Sequence, residues 1–413
     1  MSASSALPDA GQRRALNSTQ LLILLGSLVA FGPLAIDLYL PALPAIGRGL
    51  HASAAQVQLS ISVFLAGFSV GMLLYGPLSD RYGRRPVLLW GIGLFVLASL
   101  ACMVAQSVEQ LIGARVVQAL GGGAASVLAR AVVRDTYAPT EAIRNLSLMA
   151  MITAIAPLLA PVLGSQLLEW AGWRATFAAV LGWGILSWAV VWRYLAESLP
   201  PEKRGTLSMG RAFAIYGAIV RDRGAVGLLL AGGMSFAAMF AYITASPFYF
   251  IELEHFSPQA YSGIFALNAL GIFAANWVNS RAVRHHGPAT MSLIGTVLAV
   301  GGAAILWVGA IQPQGLVWVI TGLLLVVSMT GLLGANCVGM LMGRYPDNAG
   351  AAAALFGASQ FGLGMLASAA VSYAHDGSAM PMVWAIMVVS LLGLLGQGLL
   401  MRDRTRHHPA AGA

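Results

Sequence analysis

Residues 76–86 read Gly76-Pro77-Leu78-Ser79-Asp80-Arg81-Tyr82-Gly83-Arg84-Arg85-Pro86, a short basic loop between two long apolar runs. The glycines permit a tight turn and close helix contact, and Asp80 is placed to accept hydrogen bonds from a helix N-terminus or an arginine. The runs on either side, 56–78 and 86–106, are each long enough to cross a bilayer, which takes about 20 mainly apolar residues. Similar runs lie at about 20–43, 109–133, 147–169, 173–195, 224–250, 260–281, 288–311, 315–342, 351–374 and 380–401. The reading is therefore an all-α membrane protein of twelve transmembrane helices.

Composition agrees. Of the 413 residues, 58% are hydrophobic and 9% charged, against about 25% charged in an average soluble protein. Twelve spans with short connections leave no room for a sizeable soluble domain. The net charge of +8 does not indicate nucleic acid, because the basic residues recur singly between apolar runs, whereas a nucleic-acid-binding surface gathers them on one soluble face. Cys102 and Cys337 stand alone in apolar runs, which gives neither a disulfide framework nor a metal-ligand spacing. The seven histidines fall in loops, at span ends or in the tail, so no imidazole is available in mid-membrane. The first apolar run follows Arg13 and Arg14 as in a signal peptide, but it continues without a small-residue cleavage site and is read as the first span.

Of the 23 Lys and Arg residues, 20 fall on one side of this twelve-span layout, only Arg48 and Arg174 on the other, and Arg115 inside a span. Positive residues collect on the cytoplasmic side, so both termini and the long middle connection are expected there. The chain divides into a tail, 1–19, a six-helix half, 20–196, a central loop, 197–223, a second six-helix half, 224–401, and a tail, 402–413. The stretch from Thr206 to Val220 is expected to lie as a helix on the membrane surface. Asn279-Ser280-Arg281-Ala282-Val283-Arg284 echoes the first basic loop 200 residues later, which supports two pseudo-symmetric halves around a central site.

Asp37 is the one carboxylate that this layout places well inside the membrane, and an acid at that depth is a functional-site candidate by default. Arg115 is the one basic residue at comparable depth. Each lies seven residues from the outer end of its span, about 10 Å below the surface, so the two are expected to meet directly or through water. A purely structural ion pair is the alternative. Gln118, three residues on from Arg115, shares its helix face and extends the network. In the fifth span, Pro157 and Pro161 are expected to bend the helix, and Gly164 to let it pack closely across the halves. Polar and aromatic residues within spans nominate a substrate cavity: Tyr39, Gln118, Tyr242, Asn268, Asn276, Asn336 and Gln360, with Met239, Phe240, Phe356 and Phe361 as apolar walls.

The basic loop matches the major facilitator signature Gly-x-x-x-Asp-Arg-x-Gly-Arg-Arg at every position. The resemblance implies that Gly76, Asp80, Arg81, Gly83, Arg84 and Arg85 form a latch between the halves when the cavity faces outward. The run from Ala156 to Ser165 resembles the Gly-Pro-x-x-Gly-Gly element of antiporters, with Ala160 in place of its first Gly and Ser165 of its last. Further stretches, Ile36-Asp37-Leu38-Tyr39-Leu40-Pro41, Arg134-Asp135-Thr136-Tyr137, Glu197-Ser198-Leu199-Pro200, Ser246-Pro247-Phe248 and Phe265-Ala266-Leu267-Asn268, extend the likeness over roughly residues 20–400. They resemble the bicyclomycin-resistance (Bcr/CflA) family of twelve-span drug:proton antiporters.

That resemblance implies a monomer in the bacterial inner membrane that exports small drug-like molecules in exchange for protons. The cargo would be antibiotics such as bicyclomycin, phenicols, sulfonamides or tetracyclines. No cofactor is expected, since the proton gradient drives the cycle. Asp37 would alternate between proton-bound and charged states as its surroundings change. An exporter or proton symporter of an amino acid, dipeptide or sugar is the alternative on the same fold. A membrane-embedded enzyme would need a catalytic constellation, and the spans hold no His, one carboxylate and two isolated Cys. A channel would need a ring of repeated groups, and none recurs.

Overall fold

A computed structural model describes residues 17–204 and 209–407; most of the two expected tails lies outside them. The described residues form helices α1 (Ser18–Val29), α2 (Phe31–Asp37), α3 (Leu43–Gly49), α4 (Ala54–Tyr82), α5 (Arg84–Val104), α6 (Val108–Thr136) and α7 (Pro139–Ala171). They continue with α8 (Arg174–Tyr194), α9 (Met209–Arg221), α10 (Arg223–Pro247), α11 (Pro258–Ala310), α12 (Leu316–Arg344), α13 (Ala349–Tyr373) and α14 (Met380–His407). No strand occurs among the described residues. In a bilayer the backbone must satisfy its own polar groups, so helix is the expected outcome of so apolar a sequence.

Helix starts follow local chemistry. Ser53 caps α4 in a reciprocal box with Gln56, and Asn17 does the same for α1 with Gln20. Gly83, at φ 95°, ends α4 and lets α5 begin at the next residue.

Ten helices are long and apolar enough to span a membrane, and α1 with the segment Phe31–Gly49 adds a broken span bent by 47°. One of the ten, α11, has 53 residues, about 80 Å if straight and more than twice a bilayer core. It turns at Gly287, where φ is 77°, just before Pro288. Counting α11 as two gives twelve passes. The loop expected between the eighth and ninth spans is thus reduced to a single non-helical residue.

The first span departs in two places from the sequence reading, which made it one helix over 20–43. The 47° bend lies at Ala30, between α1 and α2, where Pro33 has no N–H for the carbonyl of Val29, and a second interruption follows Asp37. The cause of the second is as local as that of the first. Pro41 has no N–H to offer the carbonyl of Asp37, so the α-helix stops at Asp37 and continues as a 3₁₀ turn, Leu40–Ala42.

Each half packs on itself. In the first, α4 and α5 both pack on α6, α5 on α8, and α1 on α7; in the second, α10 packs on α12 and α14, and α11 on α12. The main contacts between the halves are made by α4 with α13 and by α7 with α11. Residues 206–208 lie outside those described, and the helix expected over Thr206–Val220 is found from Met209 on as α9. It leans on the bundle with Tyr216 and Ile219 buried, the Tyr216 hydroxyl donates to the Leu73 carbonyl (3.4 Å), and Phe213 and Val220 stay exposed.

Candidate functional site

The interruption after α2 leaves Asp37 at its last position, 5% exposed, lining a cavity of about 320 Å³ between the halves. Asp37 is the only charged residue in that lining among the described residues. From the second half, Tyr242 and Asn268 line the same cavity, and the Asn268 amide donates to the Tyr242 hydroxyl at 3.1 Å. Phe236, Phe240 and Phe361 form an aromatic wall, with ring centroids 5.0 to 6.2 Å apart. Met239 and Gln360 complete the part of the lining that sequence reasoning named. An apolar, aromatic pocket of this volume with a few convergent polar groups suits a drug-sized molecule.

Arg115 does not pair with Asp37. Its guanidinium is fully buried; one nitrogen donates to the Ala35 carbonyl (2.9 Å) and to Gln118 (2.5 Å), and the group lies over the Tyr39 and Phe64 rings at 4.5 and 4.1 Å. Matched depth was a sound clue to proximity, since Ala35 is two residues from Asp37. It missed the competing acceptor. The helix break withholds a backbone partner from the last carbonyls of α2, and a cation at a helix C-terminus is favoured there.

Gln118 and Tyr39 belong to this arginine cluster and not to the cavity. Gln118 donates to Ser99 (2.8 Å), and the Tyr39 hydroxyl meets Ser60 (3.2 Å). Three other expected cavity residues also sit elsewhere: Asn336 pairs with Asn279 at 3.0 Å, Phe356 packs on Gly232, and Asn276 lies against Gly331 behind the wall. Of the lining missed in the sequence, Phe236 had a legible signal, being one turn before Phe240. Pro33, Thr330 and Ile272 had none.

The fifth span, α7, runs as one continuous helix through both prolines. Pro157 lines the cavity, and the Pro161 carbonyl accepts from Ser262 of α11 (2.9 Å), a bond between the halves. At Gly164 any Cβ would overlap the Leu38 carbonyl oxygen, so this helix presses directly on the end of α2. Further out, Gln259 donates to Glu169 (2.7 Å) and Arg48 meets Glu252 (3.4 Å). The halves are thus pinned together at the end opposite the arginine-rich loops.

The basic loop binds within its own half. Arg84 bonds Asp80, Ser79 and, at 2.8 Å, Asp135 at the end of α6. The backbone N–H groups of Arg84 and Arg85 donate to Glu197 (2.9 and 3.2 Å), and a Cβ on Gly83 would press on that carboxylate. Arg81 points outward over Tyr82, and around Gly76 there is open space. The second half has its own brace, built from different residues: Arg344 bonds Asp222 and Asp403, and the Tyr345 hydroxyl donates to Asp222 (2.6 Å). The echo loop does not supply it, because Asn279 pairs with Asn336 and Arg281 stacks on Trp277.

Comparison with known proteins agrees with this architecture. The profile of the Major Facilitator Superfamily matches residues 23–369. An MFS-type transporter of Bacillus subtilis, YdgK, is 33% identical, over 93% of this chain and 96% of its own. A bicyclomycin resistance protein homolog of Haemophilus influenzae is 28% identical over 91% and 95%, and the multidrug resistance protein MdtL of Klebsiella pneumoniae 29% over 83% and 86%. Among solved structures, a D-xylose-proton symporter superposes with a TM-score of 0.71 at 17% identity, over 92% of this chain and 96% of that one, which is a likeness of fold. The twelve passes, the signature loop and the relatives give one answer: the chain belongs to the major facilitator superfamily and is a multi-pass membrane transporter, not an enzyme.

Proposed function

We propose that the protein is a proton-coupled multidrug efflux transporter of the bacterial inner membrane, working by alternating access with its arginine-rich end and both termini in the cytoplasm. The observation that carries this reading is the cavity itself, an aromatic pocket between the halves whose only charged lining residue among those described is Asp37. Relatives named for multidrug and bicyclomycin resistance support the efflux of drug-like cargo. Phenicols, tetracyclines, sulfonamides and bicyclomycin are the expected classes, and the proton gradient alone drives the cycle.

In this reading Asp37 holds a proton when the cavity faces the periplasm and releases it toward the cytoplasm, where drug enters. The aromatic wall supplies affinity without demanding one shape, and Asn268, Tyr242 and Gln360 offer polar contacts. Contacts at the end opposite the arginines (Arg48 with Glu252, Gln259 with Glu169) join the halves there, which supports a cytoplasm-facing arrangement.

The test is uptake of chloramphenicol and tetracycline into inside-out vesicles under an imposed pH gradient. Asp37→Asn should abolish uphill transport while leaving the protein folded in the membrane. Uphill transport that survives the substitution removes Asp37 from the proton-carrying role. Movement of cargo and protons in the same direction assigns the symporter alternative.

A further inference from the structure

The helix pair α4 and α13 closes the halves along a seam that the cavity does not use. Positions 58, 62, 65, 69 and 72 of α4 recur at three- and four-residue spacing, the period of one helix face. Where their partners are visible, they lie on α13: Ser62 meets Ser368 (2.8 Å), Ser69 donates to the Ala358 carbonyl (2.7 Å), and Met72 lies against Gly357. Ser368 also meets Thr244 of α10 (2.7 Å). Gln58 is the outermost position of this stripe, one turn from Ser62 toward the end opposite the arginines. It is fully buried, and neither its amide nitrogen nor its carbonyl oxygen has a hydrogen-bond partner.

A buried side-chain amide with both ends unsatisfied carries the full cost of its lost hydration. Leucine or methionine at that position would carry none of it. Nothing in the closed seam repays Gln58. When the halves part at this end, water reaches the amide and the cost disappears.

We infer that Gln58 is a built-in opening bias on the periplasmic gate, a polar group that penalises the closed seam and so raises the population of the periplasm-facing state. The hydroxyl bond between Ser62 and Ser368 acts with the opposite sign, since it exists only while the seam is closed. Together they keep the two states close enough in free energy for an alternating cycle. The inference rests on the alternating-access reading but not on protons or cargo, so its test needs neither.

Spin labels at Leu59→Cys and Tyr373→Cys, exposed positions near the outer ends of α4 and α13, report the width of the seam. The background is the full-length protein with Cys102→Ala and Cys337→Ala. Gln58→Met, nearly the same shape, and Gln58→Leu should each raise the ratio of short to long distances about tenfold, equivalent to about 1.4 kcal/mol. Ser62→Ala should move the ratio the other way. If only the short distance is populated before substitution, the readout is the melting temperature, which should rise in both Gln58 variants and fall in Ser62→Ala. Distances and melting temperatures that stay put in the Gln58 variants, or that shift toward the open or less stable side, overturn the inference. Failure of Asp37→Asn to abolish coupling leaves these distances unaffected, so the two readings fail separately.

Discussion

At the scale of single residues, the two deep charges have different work. Asp37 faces the cavity, while Arg115 faces the backbone, holding the Ala35 carbonyl and Gln118 between the Tyr39 and Phe64 rings. Removing the guanidinium strands a carbonyl and an amide in a dry interior, at about 1–3 kcal/mol for each buried group left unsatisfied. Arg115→Ala should therefore lower the melting temperature of the purified protein clearly. Arg115→Lys should fall between, because an ammonium keeps the charge but not the planar guanidinium that stacks on the Tyr39 and Phe64 rings. Thermal unfolding in detergent decides: a lysine variant as stable as the unmutated protein would show that charge alone suffices. The sequence displayed both charges through their rarity in apolar runs, but it could not show the pairing. Which acceptor an arginine takes depends on where a neighbouring helix frees its carbonyls, and that is set by Pro41, four residues beyond Asp37.

Elements add constraints that residue type alone does not reveal. The spans were legible because bilayer thickness forces long apolar runs. Their interruptions were not, since the Gly287 turn and the break after Asp37 depend on single backbone positions. Glycines of one motif likewise differ in what they do. Gly83 sits at φ 95° against Glu197, whereas a side chain at Gly76 would meet nothing. Gly83→Ala should therefore destabilise by about 1–3 kcal/mol, the cost of holding an L-residue at a positive φ with extended ψ, a region open essentially to glycine alone. Gly76→Ala should keep or slightly raise stability, as expected inside an exposed helix turn. If the loop also latches the halves in the opposite state, Gly76→Ala slows drug efflux at unchanged stability; equal rates would remove Gly76 from the latch. Gly164→Ala should be the costliest of the three, because the Leu38 backbone cannot yield as a side chain does, and expression with thermal unfolding ranks them. The brace at the start of α10 has a pH signature. Burial works against the Asp222 charge, but hydrogen bonds from Arg344 and Tyr345 outweigh it and hold the carboxyl at about 2, below the usual 3.8. A depressed carboxylate stabilises the fold above its ordinary range and loses that contribution as pH falls through its folded value. The melting-temperature gap between the unmutated protein and Asp222→Asn should thus be constant from pH 5 to 8 and narrow below about pH 4. A gap that changes between pH 5 and 8 would assign the effect to another group.

For the whole molecule, alternating access requires each half to move as a body, and the two arginine braces supply a physical reason why it can. Arg84 ties the ends of α4, α5 and α6, while Arg344 ties the ends of α10, α12 and α14. Each of these ion pairs stays within one half, and the two sets share no residue. Energetic independence follows, because substitutions at well-separated sites without common partners add to within about 0.5 kcal/mol. Within a brace the opposite holds: once Arg84 is gone, removing Asp135 loses little more, since the bond between them is already broken. The expected result is that Arg84→Ala and Arg344→Ala each lower the melting temperature and that their double variant shows the sum. Arg84→Ala with Asp135→Ala should instead show less than the sum of its singles. Arg84 was expected from sequence to act on the conformational cycle, by gripping the far half. Its bonds here are all inside its own half, so loss of stability is the first effect and slower turnover the second. The two cycles, six proteins in all, compared by thermal unfolding at one pH and in one detergent, separate coupling within a half from coupling across the halves. Additivity across the halves with coupling inside each describes two rigid units that rock about the cavity. Strong coupling between Arg84 and Arg344 would mean that the arginine-rich ends communicate through the bundle, and rigid-body motion would no longer follow from the braces.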